Sequence, residues 1–209
     1  MVTKMKMNDS VKTAIAGAVA TAEKRTSAEI AVVVTATSDT YQPFQLMYGF
    51  AAGSALGAVL WWSKTATAFP LLAFIQAVSM TAFAFVPWLR VFSLNFLPKR
   101  MLREHAARRA SQEFLFLSRH VPAGRPVLLL YVSLAEKYAH ILHSRDVSQK
   151  IPAITWDRII SDFTESVKTA GLQPACLAAI HSAADALEPY FPDRGEPNAL
   201  SDSPGGRRK

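Results

Sequence analysis

Two long stretches without a single Asp, Glu, Lys, Arg or His constrain this chain more than anything else in it. They run from Phe44 to Ser63 and from Thr65 to Leu89. A helix rises 1.5 Å per residue, so about 20 apolar residues cross a hydrocarbon core of ~30 Å. Both stretches are long enough. A secretory signal would begin within the first residues and carry a shorter apolar core, which fits neither stretch. A soluble core is a poor alternative, because a chain of 209 residues is too short to wrap two all-round apolar helices in protein. The expectation is a transmembrane hairpin over 44–89, with spans at 44–62 and 68–89.

Gly49, Gly53 and Gly57 recur every fourth residue in the first span, with Ala52 and Ala55 nearby. Small residues on one stripe let a second helix approach closely. The expected neighbour is the second span, joined through a tight turn at Ser63 and Lys64; a homodimer contact is the lesser alternative. Tyr48, Trp61, Trp62 and Trp88 fall near span ends, as belt aromatics do. Pro70 lies in the first turn of the second span and Pro87 near its end, so neither is expected to break it.

Composition agrees with a chain partly in lipid. Half of it is hydrophobic, 19% is charged, and its mean hydropathy is +0.14. The net charge of +7 has a place to go. Arg90, Lys99, Arg100, Arg103, Arg108 and Arg109 follow the second span with Glu104 as the lone acid among them, and Lys4, Lys6, Lys12, Lys24 and Arg25 precede the first. Basic loops stay cytoplasmic. Both termini are therefore expected on the cytoplasmic side of the inner membrane, with Arg90, Lys99, Arg100 and Arg103 at anionic headgroups. Topology accounts for the bases, and no nucleic-acid motif is present, so nucleic acid is not an expected partner. The single cysteine, Cys176, excludes an internal disulfide framework and a multi-cysteine zinc site.

The rest reads as one soluble domain split by the hairpin, residues 1–43 and 90–191, with a polar tail at 192–209. Val11, Ile15, Val19 and Ala22 have helical spacing, and Ala28–Thr37 is a β-rich run apolar at both parities, as in a strand covered on two faces. After the hairpin come a helix from Pro98 to Leu117, a buried strand over Pro126–Ser133, and helices over Thr155–Ala170 and from Pro174 to Leu187. Lys137–His143 fits either a helix or a third strand. Alternating helices and strands predict an α/β layer fold.

The run Thr26-Ser27-Ala28-Glu29-Ile30-Ala31-Val32-Val33-Val34, followed by Ser38-Asp39-x-Tyr41, resembles the opening of the TPM-domain family. Val127-Leu128-Leu129-Leu130-Tyr131-Val132-Ser133-Leu134-Ala135-Glu136-Lys137-Tyr138-Ala139 resembles it too, as do the downstream Trp156 and Phe191-Pro192. The likeness is greatest to small bacterial membrane members in which two spans follow the first strand. It implies an α/β/α sandwich with a small mixed sheet, and it makes Lys137–His143 a strand. Members are described as acid phosphatases, calcium binders, or assistants to membrane complexes. This chain departs from the family at Ile141–Val147, where His143 stands for the usual acid and Asp146 for the usual glycine.

Metal or phosphatase chemistry needs clustered carboxylates. Asp39 follows the first strand, Glu136 the second and Asp146 the third. Ligands in open α/β sheets sit beyond the carboxyl ends of strands. These three are therefore the candidate site for Ca2+ or another divalent metal. The alternative makes them turn and cap residues. His140 and His143 would face opposite sides of a strand, and no histidine pair has metal-ligand spacing. No phosphate loop or nucleophile elbow occurs. Two functions follow: a membrane-anchored interaction, assembly or scaffold protein with another membrane protein as partner, or a weak metal-dependent acid phosphatase.

Overall fold

In the computed structural model, the described residues are 9–39, 41–64, 68–86, 88, 89, 92, 97–122 and 124–193. Arg90, Lys4, Lys6 and almost all of the tail expected at 192–209 lie outside them. The described residues fall into two compact units. One is Asp39–Leu102; the other combines 9–38 with 103–193.

The second unit is mixed α/β. Its helices and strands follow in the order α1 (Asp9–Glu23), β1 (Glu29–Thr35), α4 (Lys99–Ser118, which enters from the other unit), β2 (Val127–Ser133), β3 (Tyr138–His143), α5 (Arg145–Lys150), α6 (Ala153–Thr169) and α7 (Leu172–Leu187). The sheet order is β1-β2-β3. β1 and β2 run parallel, with Val32 opposite Leu130; β3 is antiparallel to β2, with Leu130 opposite Ile141. Four residues, Leu134–Lys137, separate β2 from β3, too few for a crossover and enough for a hairpin. Lys137 completes that turn with a positive φ of 49°.

Strand alternation assigns the two faces. Ile30, Val32, Leu128, Leu130, Val132 and Ile141 join a core with Ile15 and Val19 of α1, Trp156, Ile159 and Phe163 of α6, and Ala179, Ile180 and Leu187 of α7. Val33, Leu129 and Tyr131 pack on the other face with Ala110, Phe114 and Leu117 of α4. Helices thus cover both faces, which is why β2 is buried at every position. The buried face of α7 is rich in alanine, which lets it lie close to α1 and α6. Gly171 turns the chain between α6 and α7 with φ 93°, where a side chain would be strained. α5 is too short to carry a periodic signature and was not expected from the sequence.

The first unit holds two antiparallel helices, α2 (Gln42–Trp62) and α3 (Phe69–Phe85). The glycine stripe of α2 faces α3. A Cβ at Gly49 would fall 2.7 Å from the Met80 Cα, and one at Gly53 would fall 3.0 Å from the Gln76 and Ser79 side chains. Ser79 Oγ donates to the Gly49 carbonyl at 2.8 Å, and Gln76 Nε2 to the Phe50 carbonyl at 3.1 Å. Among the described residues α2 is the one helix long and apolar enough to cross a bilayer. α3 is shorter than the expected span of 68–89. It has 17 residues and stops at Phe85, with Val86 extended at φ −78° and ψ 115°. Val86 precedes Pro87, and a residue before proline is disfavoured in the helical region.

Candidate functional site

The β2–β3 turn builds the most constrained polar cluster of the second unit. Glu136 is 6% exposed. Its carboxylate accepts the Ser38 backbone N–H at 2.8 Å and the Ser133 hydroxyl. Ser38 Oγ and the Tyr131 hydroxyl are 3.0 Å apart. Burial pushes the Tyr131 phenol up to about 12. Leu134 and Ala135 donate their N–H groups to Thr35 and Ala36, so the turn also continues the β1–β2 ladder. Glu136 thereby fixes the course of the chain leaving β1.

The strand directions overturn the expected convergence of the three acids. Glu136 lies at the end of the sheet where Ser133 pairs with Tyr138. Asp146, in the first turn of α5, lies past the other end, where Leu128 pairs with His143. Five strand residues at ~3.4 Å each separate these ends by roughly 17 Å. Asp39 begins the other unit. Calcium takes 6–8 oxygen ligands. With Glu136 bound to Ser38 and Ser133, and Asp146 at the far end, the trio does not fit such an ion. Among the described residues no group of three or more His, Cys, Asp or Glu side chains could hold a metal. The signal for this was in the sequence: a four-residue turn makes β3 antiparallel, which sends its carboxyl end away from that of β2.

A second buried polar pair went unrecognised in the sequence. Glu29, the first residue of β1, is 2% exposed and forms an ion pair with Arg125, which precedes β2. The parallel register brings them together, since Glu29 stands opposite Val127 and donates its N–H to the Pro126 carbonyl at 2.8 Å. Glu23 Oε1 accepts the Ile30 N–H at 3.0 Å, so a second acid supports the start of β1. An acid opening an apolar strand was the available clue; its basic partner 96 residues away was not.

His143 stacks against Trp156 with ring centroids 5.5 Å apart, and the exposed His140 sits on the opposite face of β3. Cys176 is fully buried in α7, and burial pushes its thiol up to about 12. Lys99, Arg100 and Arg103 are exposed on the first turns of α4.

The first unit inverts the exposure of an ordinary soluble fold. Its inward positions carry Gly49, Gly53, Gln76 and Ser79. Its outward positions carry Phe50, Leu56, Val59, Trp61, Trp62, Phe69, Phe74 and Phe85, each at least half exposed. Elsewhere in the described chain the exposed large apolar side chains are Leu115, Phe116, Ile154 and Tyr190.

No protein-family model matches this chain, and no curated protein does. A solved structure does match. It is the NMR structure of BA42 protein from the psychrophilic bacterium Bizionia argentinensis, aligned over 96% of this chain and 95% of that one with a TM-score of 0.58 and 16% identity. The likeness is one of fold. It supports the mixed α/β architecture with its small three-stranded sheet.

Proposed function

We propose that this chain is a membrane-anchored interaction protein. In this reading α2 and α3 form a transmembrane hairpin in the inner membrane, and the α/β unit works on the cytoplasmic side as a docking or assembly module for another membrane protein. The observation that carries the reading is the inverted exposure of α2 and α3. Large apolar side chains left in water cost about 25 cal/mol per Å2, a cost that burial in the hydrocarbon core of a bilayer removes. The inward serine and glutamine bonds suit the same setting, since a polar group in hydrocarbon needs a partner. α2 spans ~32 Å and α3 ~26 Å, against a core of ~30 Å, a mismatch that modest local thinning of the bilayer absorbs. Lys99, Arg100 and Arg103 would then lie at anionic headgroups.

We assign the α/β unit to the TPM-domain family on the residues quoted above, with the three-stranded mixed sheet and its two helical layers as support. The phosphatase alternative has no comparable support, because Glu136 is occupied and Asp146 lies at the far end of the sheet. Washing membranes with alkaline carbonate tests the anchor. Retention in the pellet, with a reproducible partner after mild solubilisation, is the expected result. Release into the supernatant removes the anchor, and repeated purification without a partner removes the docking role.

A further inference from the structure

We propose that the α/β unit carries a binding site for a medium-chain fatty carboxylate, in a cavity that the assignments above leave unused. The cavity measures about 340 Å3 and opens between the β2–β3 turn and α6. That is the size of a small-molecule site. Val132, Ala139, Phe163, Val167 and Leu172 make it predominantly apolar, and Lys137 and Lys168 stand at it as its charged groups.

Two features specify the ligand. First, the apolar lining belongs to the edge of the main core: Val132 and Phe163 are buried, while Ala139, Val167 and Leu172 are partly open. An alkyl chain laid there extends the core and removes their remaining surface from water. Second, neither ammonium has an ion pair or side-chain hydrogen bond among the described residues. Glu136, next to Lys137 in sequence, turns its carboxylate to Ser38 and Ser133 instead. Two unneutralised cations beside an apolar hollow match an apolar body ending in a carboxylate. Both lysines are exposed at the rim, where a carboxylate head can meet them while its chain fills the hollow; a neutral alcohol of the same length would fill the hollow without that ionic contact.

The test uses the full chain in lipid nanodiscs and a decanoate analogue bearing a photoactivatable diazirine, with crosslinked peptides located by mass spectrometry. Crosslinks are expected within 132–139 and 163–172, displaced by decanoate and much less by decanol. The double variant K137Q/K168Q is expected to weaken labelling about tenfold, each lost ionic contact contributing a few-fold. V167W, which fills the hollow, is expected to abolish it while circular dichroism confirms the fold. Labelling confined to α2 and α3 would overturn the proposal, as would equal displacement by decanol. Displacement by a peptide with an apolar C-terminal residue, but not by decanoate, would overturn it in favour of a protein ligand.

Discussion

Glu136→Gln keeps the shape of the side chain and removes the charge that holds Ser38 and Ser133. Charge-assisted bonds of this kind contribute about 2 kcal/mol, so the variant is expected to lose about that much stability and to unfold at a lower denaturant midpoint. Chemical denaturation of the α/β unit's signal checks it, and an unchanged midpoint would contradict the role given to this residue. Tyr131 supplies a pH dependence. Its phenol is raised from 10.0 to about 12, so the folded state holds a proton that the unfolded state releases first. The stability this represents is present below pH about 10 and is lost as pH climbs toward about 12. Tyr131→Phe is expected to flatten that decline, measured as denaturation midpoints at pH about 9 and about 11. Cys176, buried and with its thiol raised, is expected to resist thiol reagents until denaturant is added.

At the scale of elements, two contacts hold helices and strands in place. In the hairpin, Gly49→Val would drive a side chain into the Met80 backbone, whereas a methyl at Gly57 would meet Leu72 at an ordinary 3.7 Å. The first substitution is expected to cost about 2 kcal/mol and Gly57→Ala close to nothing, compared as thermal unfolding in bicelles. In the sheet, Arg125→Met strands the Glu29 carboxylate, at a cost of roughly 3–5 kcal/mol, and adding Glu29→Met should recover most of it. A double variant no better than the single one would sink that account. Element by element, the legible parts are those with strong patterns. The apolar runs at Ala28–Thr37 and Pro126–Ser133 read as strands because both faces are covered. Trp156, Ile159 and Phe163 read as a helix because their spacing follows one face. The expected span runs past the end of α3 at Phe85, since the apolar run in the sequence continues beyond it. Lys137–His143 is ambiguous by periodicity alone, because seven residues satisfy both periods, and only the family resemblance makes it a strand. The acidic site failed on direction rather than on residue type: each acid does follow a strand, but the strands do not end together.

The whole molecule reads as a hydrated α/β unit joined to a hairpin whose apolar side faces outward, and the central claim is that lipid covers that side while both polar segments share one compartment. Cysteine accessibility in intact cells tests this most directly, and the native Cys176 stays silent there because it is buried. Single substitutions Lys64→Cys, Lys12→Cys and Arg103→Cys report the turn between α2 and α3, the segment before them and the segment after. With a membrane-impermeant maleimide, labelling at position 64 in intact cells, and at 12 and 103 only after permeabilisation, is the result this account requires. Equal protection of all three positions, or labelling of 12 and 103 on opposite sides, would contradict it.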